Sequence, residues 1–373
     1  MKKIKILTAV GTRPEIIRLS RTIDFLNKNT DHKLIHTGQN YDDELNKIFF
    51  KDLGLRNPDF KLNIKKKTLI ESISEILKEV DIILEKEKPD AFIILGDTNS
   101  CLTAYCAKRR KIPIFHIEAG NRCYDLRVPE EINRKIIDHI SDINITYSDI
   151  AKENLLRENI SPDKVFKIGS PLHEVFNFYK NKILKSKILN KYKLKKNNFY
   201  LVSVHREENL DNDKNLSNFV NLLEYLDQKD KNKVIVSTHP RTMNKLKKLK
   251  LKEMKNTYFA KPFSYTDYCN LQINSKAVLS DSGSITEESN IMKFNAINLR
   301  TTNERQEGMS VGAVAMTHFN TNKIDNLINY FETNNLLNLD KIEDYYSPNF
   351  SKVFYKLLLS YTDYVNEYTW KKN

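Results

Sequence analysis

The sequence predicts an α/β chain of two units, each built on a doubly wound parallel sheet, with a cleft between them. Three observations lead there. Short apolar segments rich in β-branched residues alternate with longer helical patterns, and this alternation implies parallel strands covered on both faces. The alternation halts in a stretch rich in lysine and asparagine and then restarts. The chain's 373 residues, 40% of them hydrophobic, also exceed what one core comfortably holds.

In order, KIKILTAV, HKLIHTG, AFIILGD, IPIFHIEAG, INITYS and VFKIGS read as strands, with LIESISEILKEVDIILEKEKPD as an intervening amphipathic helix. After Pro171 the composition changes through residue 198, which sets the expected boundary, with residues 1–170 in the first unit and 171–349 in the second. FYLVSVH, KVIVSTHP, NTYFAKP, AVLSDSG and NAINL form a second set of strands, and FSKVFYKLLLSYTDYVNEYTW has the apolar stripe of a closing helix. There is no tandem repeat.

Composition removes several classes of function. Cys101, Cys106, Cys123 and Cys269 form no C-x-x-C pair, which speaks against a structural zinc or a disulfide framework. No H-E-x-x-H or similar set suggests a metal, and no G-x-G-x-x-G or G-x-x-x-x-G-K-[ST] suggests a nicotinamide or ATP site, so no cofactor is expected. No apolar run is long enough for a bilayer, and MKKIKILTAV lacks the h-region of a signal peptide, so the expected location is cytoplasmic, away from membranes. The net charge of +13 could signal a polyanion. Its lysines, however, lie in KNKILKSKILNKYKLKKNN (180–198) and NKLKKLKLKEMK (244–255), between apolar residues, as on solvated helix faces. With no RNP, zinc-finger or basic-zipper pattern, no nucleic-acid partner is expected.

Glycines are few, and Gly11, Gly38, Gly96, Gly120, Gly169 and Gly283 all fall at or just after the carboxyl end of a predicted strand, the edge at which open parallel sheets bind ligands. GTRPE (11–15) opens a helix whose free N–H groups, with Arg13, make an anion site suited to phosphate. Asp97 in GDT, Glu118 in HIEAG and Glu130 in VPEEINR place three acids on one sheet edge. Mutual repulsion should push at least one of them toward the range a proton-transfer group needs. Each also has a plainer reading: Asp97 as a turn former, Glu118 as the ion-pair partner of Arg122 or Arg127, and Glu130 as a first-turn acid.

In the second half His205 and Arg206 follow one strand, and His239, Pro240 and Arg241 follow the next. A histidine at a strand end can hold a phosphate or shuttle a proton. SDSGSITEE (280–288) has the shape of strand, turn and helix, with Ser282, Ser284 and backbone N–H groups available to phosphate oxygens and Glu288 within reach of a ribose; the same residues also suit an ordinary helix cap.

Together, GTRPE, TGQN, GDT, HIEAGNR, PEEINR, DHISD, HREEN, THPR, DSGSITEE and ERQEG, spread over residues 1–320, resemble the non-hydrolysing UDP-N-acetylglucosamine 2-epimerases. The resemblance implies a GT-B-like fold of two Rossmann-like lobes, the last helix (about 350–373) returning to the first lobe, a homodimer, and a UDP-linked 2-acetamido sugar as substrate. It implies epimerisation at C2 through a 2-acetamidoglycal: a base removes the C2 proton as UDP leaves C1, and UDP then re-adds with protonation from the opposite face. Surface polysaccharide synthesis would use the product.

By position, the resemblance makes Asp97, Glu118, Glu130 and His205 catalytic, His205 also joining Arg13, Ser282 and Gly283 on the diphosphate. It puts Tyr268 under uracil, Glu288 on the ribose, and Ser284 and Arg305 in the substrate pocket. The chain departs from the family pattern where Ser284 replaces a glycine, where Gln306 replaces a proline, and at Asp42, where regulated members carry a glutamine. AGNRCYDLRVPEE also resembles the branch acting on 6-deoxy sugars, in which UDP-N-acetyl-L-fucosamine arises from the talose isomer. A hydrolysing relative, a glycosyltransferase of the same architecture, and a non-catalytic nucleotide-sugar or polyanion binder are the competing readings.

Overall fold

The computed structural model describes residues 3–38, 43–64, 68–238, 240–249, 253–334 and 340–372, without the side chains of residues 43–47, 207, 240 and 241. It divides into two compact units, Met1–Asn177 with Glu343–Asn373, and Phe178–Ile342. The chain crosses from the first to the second within the helix Pro171–Leu184.

The first unit holds a seven-stranded sheet: β1 (Lys5–Val10), β2 (Asp31–His36), β3 (Phe60–Lys61), β4 (Ala91–Leu95), β5 (Ile114–Ile117), β6 (Ile143–Thr146) and β7 (Val165–Lys167). The order is β3-β2-β1-β4-β5-β6-β7, and every pairing is parallel. β4 is buried along its whole length and β1 after its first residue, as a sheet covered on both faces requires. Leu7, Phe92 and Ile94 meet Ile76, Val80 and Leu84 of the helix Leu69–Glu87 in one core. That helix starts with a full capping box, Thr68 and Glu71 each satisfying the other's backbone N–H.

The second unit repeats the plan with β8 (Phe199–Ser203), β9 (Lys233–Ser237), β10 (Thr257–Ala260), β11 (Ala277–Ser280), β12 (Ala296–Asn298) and β13 (Ala315–Met316), ordered β10-β9-β8-β11-β12-β13 and again wholly parallel. β3 and β13 are two residues each, too short to leave a period in the sequence. The helix Phe350–Tyr364 belongs to the first unit. There the Ser351 hydroxyl meets Thr22 at 3.2 Å, and Phe354 stands edge-on to Phe115 of β5 at 6.1 Å.

In both sheets the strand order reverses once, between β1 and β4 and between β8 and β11. The carboxyl ends of strands at such a reversal are where doubly wound sheets bind ligands, because the flanking helices depart to opposite faces and leave a crevice. The fold thereby singles out the residues after β1, β4, β8 and β11.

Candidate active site

In the first unit, Thr12 after β1 is the extended N-cap of the helix Arg13–Asn29, and Pro14 sits in its first turn. The Arg13 guanidinium lies 5.7 Å from the centre of the Phe49 ring. Two residues on, Glu15 is buried. It accepts from Gly11 N–H at 2.6 Å and from the hydroxyls of Thr12 at 2.9 Å, Thr98 at 2.5 Å and Ser100 at 2.8 Å. Burial pushes its carboxyl above the ordinary range, while these four bonds pull it down.

Gly96, at φ +74°, directly follows β4, and Asp97 comes next. Arg134 holds Asp97 Oδ2, and Asn133 Nδ2 donates to the Asp97 carbonyl at 2.8 Å. Both come from the helix Pro129–Ile140, whose first turn carries Glu130 and Glu131. Glu131 is buried and bonds Arg134 Nη1 at 2.8 Å and the N–H groups of Cys123 and Tyr124. Glu130 is partly buried one residue earlier, in the first turn of the helix that supplies the Asp97 clamp.

Glu118 directly follows β5 and is itself left-handed at φ +73°. Its carboxylate has Arg18 Nε at 3.6 Å, Tyr147 OH at 3.4 Å and Asn121 Nδ2 at 3.5 Å. A Cβ on Gly96 would stand 3.8 Å from Glu118 Oε2. That is ordinary contact, so it is the positive φ at Gly96 and not crowding that favours glycine there, and Asp97 and Glu118 follow neighbouring strands on one sheet edge. Behind them the His116 ring sits with Nε2 2.9 Å from the Gly96 carbonyl and Nδ1 3.0 Å from Asp138, whose carboxyl also bonds Arg122 at 2.7 Å. Burial pushes Asp138 upward, yet His116 and Arg122 hold it below its ordinary value.

Two of the acids have an arginine against them, Arg134 on Asp97 and Arg18 on Glu118. One expectation changes: Glu118 is not paired with Arg122 or Arg127, since Arg122 is committed to Asp138 and Glu158, and Arg127 to Asp125.

In the second unit, buried Asp281 after β11 accepts from the backbone N–H of His205 at 3.1 Å and Arg206 at 3.0 Å and from Asn209 Nδ2 at 3.0 Å, all from the segment after β8. His205 Nδ1 lies 3.2 Å from the same carboxylate, and the ring stays exposed. Burial would push Asp281 upward, but His205 and these bonds hold it at about 2. Ser282 and Ser284 join hydroxyls at 2.9 Å, Ser284 donates to Glu288 Oε1 at 2.8 Å, and Gln272 donates to Glu288 Oε2 at 2.6 Å. Tyr268, partly buried on the helix Tyr265–Asn274, has its phenol pushed up by burial and by Glu288.

Gly283 has no room for a side chain: a Cβ there would lie 2.1 Å from Glu304 Oε1, and Arg300 clamps Glu304 at 2.6 Å. Arg305 is buried and bonds Glu287, in the first turn of the helix Ile285–Met292, at 2.7 Å. His239 and Asp42 lie outside the described residues. No group of three or more His, Cys, Asp or Glu among the described residues is arranged to hold a metal ion.

Sequence reading missed Arg18, Arg134, Gln272 and Asp281 as parts of these sites. Arg134 had a signal, its spacing of three and four residues from Glu131 and Glu130 on one helix. Arg18 falls one helical turn beyond GTRPE, on the same face as Glu15. Gln272 had none.

Two wholly parallel sheets, with acids after one strand reversal and a serine-glycine turn after the other, define a GT-B-like α/β protein. The sequence pattern of the UDP-N-acetylglucosamine 2-epimerase family matches residues 25–358, and the chain belongs to that family. It is 39% identical over 333 residues to a UDP-N-acetylglucosamine 2-epimerase of Methanocaldococcus jannaschii, covering 86% of this chain and 90% of that protein. A UDP-N-acetylglucosamine 2-epimerase structure from Rickettsia bellii superposes with a TM-score of 0.92 at 44% identity, covering 99% of this chain and all (100%) of that one. A crystal structure of the Methanocaldococcus jannaschii enzyme in complex with UDP-GlcNAc and UDP superposes with a TM-score of 0.90 at 34% identity, covering 96% of this chain and 100% of the other.

Proposed function

We propose that the protein interconverts UDP-N-acetylglucosamine and UDP-N-acetylmannosamine by elimination and re-addition of UDP, without a redox cofactor. The observation that carries this reading is the pair Asp97 and Glu118, two carboxylates on adjacent strand ends, each beside an arginine. Abstracting a carbon-bound proton and returning one to the opposite face takes two acid-base groups, and a transferase needs no such pair. Asp97, Glu118 and Glu130 handle the C2 proton. Arg13, His205, Ser282 and Gly283 hold the diphosphate, so that the departing UDP stays for re-addition; Tyr268 takes the uracil, Glu288 the ribose, and Ser284 and Arg305 support that turn.

Incubation with UDP-N-acetylglucosamine in D2O tests the reading by proton NMR. Deuterium at C2 and a new C1 signal are expected. Stoichiometric free sugar would show a hydrolase, turnover of only the 6-deoxy talose isomer would move the substrate to the fucosamine branch, and no exchange with any UDP sugar would overturn the reading.

The enzyme works in the cytoplasm, supplying an activated sugar for surface polysaccharide. Four free cysteines and the absence, among the described residues, of any helix able to cross a membrane support that location. It works as a homodimer joined through the helices Leu69–Glu87, Ala104–Arg109 and Pro129–Ile140. These expose Ile70, Ile82, Tyr105, Ile132 and Ile136, large apolar side chains that water alone covers poorly. A monomeric mass by light scattering would sink the dimer.

A further inference from the structure

We propose that Glu15 is a positioning residue that locks the turn carrying Arg13 to the loop carrying Asp97, fixing the phosphate-holding cation relative to the proton-handling acid. The proposal rests on the epimerase reading above and adds to it a residue that touches neither substrate nor product.

The geometry is that of a four-way junction. Glu15 is 2% exposed, and its carboxylate takes two donors from each of two segments. From the turn after β1 come Gly11 N–H at 2.6 Å and the Thr12 hydroxyl at 2.9 Å; from the loop after β4 come the hydroxyls of Thr98 at 2.5 Å and Ser100 at 2.8 Å. Each oxygen serves one donor from either side: Oε1 joins Thr12 to Thr98, and Oε2 joins Gly11 to Ser100. Thr98 and Ser100 are also 2.8 Å apart, which closes the ring of contacts.

An ordinary helix cap explains only half of this. A glutamate at the third helical position reaching back to the N–H ahead of the helix is a familiar terminus, and Gly11 and Thr12 need nothing more. The helix gains nothing from two hydroxyls that lie 83 and 85 residues away in sequence. Those two belong to the segment directly after Asp97, and β1 and β4 are the neighbours between which the strand order reverses. Glu15 therefore bridges the sheet at the one place where its crevice opens.

The chemistry gives the bridge a purpose. Elimination across C1 and C2 needs the leaving diphosphate and the departing proton aligned, and a displacement of about 1 Å between their holders costs roughly 100-fold in rate. Four hydrogen bonds to one buried carboxylate remove that freedom before substrate arrives.

The test removes the junction from one side at a time. Thr98→Val with Ser100→Ala takes away both donors on the Asp97 side while keeping volume. We expect kcat to fall about 10-fold or more, with the calorimetric Kd for UDP within about threefold and Tm within a few degrees. Thr12→Val on the other side weakens UDP binding. Glu15→Met loses both turnover and affinity, and Glu15→Gln restores most of the turnover, because the amide oxygen can serve Gly11 and Ser100 while both threonine hydroxyls turn to accept from the amide nitrogen. A double variant with wild-type kcat overturns the proposal, as does one whose kcat, UDP affinity and Tm all fall together. A wild-type protein that exchanges no C2 hydrogen overturns the epimerase reading, and the proposal with it; exchange in the wild type beside an unimpaired double variant overturns the proposal alone.

Discussion

Arg134 holds Asp97 with two nitrogens on one oxygen, Nε at 2.7 Å and Nη2 at 2.6 Å from Oδ2. A planar guanidinium gripping from one side fixes the carboxylate's orientation as well as its charge, and a lysine offers only a point contact. Arg134→Lys should keep part of the turnover, whereas Arg134→Gln should lower kcat by about 100-fold or more with UDP affinity little changed. C2 deuterium exchange and UDP calorimetry on the two variants check this. Equal rates for both would show that the fork does not matter.

Glu118 occupies the left-handed region at φ +73°, a conformation that costs a residue with a Cβ roughly 1 kcal/mol or more relative to glycine. The strain implies a trade between stability and use. Glu118→Gly should unfold at higher urea than Glu118→Ala by about 1 kcal/mol, with both variants inactive. An alanine variant as stable as the glycine variant would mean that the backbone carries no strain there.

Asp281 ties pH to stability through the second unit. Its carboxyl sits at about 2 against an ordinary 3.8, so the unfolded chain binds the proton first as pH falls. The stabilisation is full above pH 3.8 and is lost as pH falls toward and through about 2, amounting to about 2 kcal/mol. The difference in urea midpoint between wild type and Asp281→Asn should narrow as pH falls from 5 through that window. A difference that widens on acidification would reverse the assigned sign.

Gly283→Ala must displace Glu304, because the new methyl would fall 2.1 Å from its Oε1 while Arg300 holds the other oxygen, Oε2, at 2.6 Å. The turn that presents Ser282 and Ser284 would shift with it. UDP affinity should drop about 10-fold or more, while urea stability changes by only about 1–2 kcal/mol. Calorimetry with UDP alone reads this without reliance on turnover.

The sheets were legible because parallel strands buried on both faces are written as continuous apolar runs, as in AFIIL of β4 and FYLVS of β8. The site's strand-end residues were legible for a related reason: a glycine or histidine directly after such a run has few purely structural uses. The partners that orient them were not. Gln272 reaches Glu288 from another helix and His116 reaches Asp138 across 22 positions, relations set by packing that no local spacing records. The arginines that stand against Asp97 and Glu118 were not legible either, because Arg18 and Arg134 lie a turn or more inside helices whose polar positions read as surface.

The first unit is assembled from both ends of the chain, and this bears on its birth at the ribosome. Its seven strands emerge early, but Phe354, which covers Phe115, is translated only after the whole second unit. A nascent chain therefore carries an uncovered aromatic face through most of synthesis, while the later-made second unit holds all its own strands and can fold before the earlier one is finished.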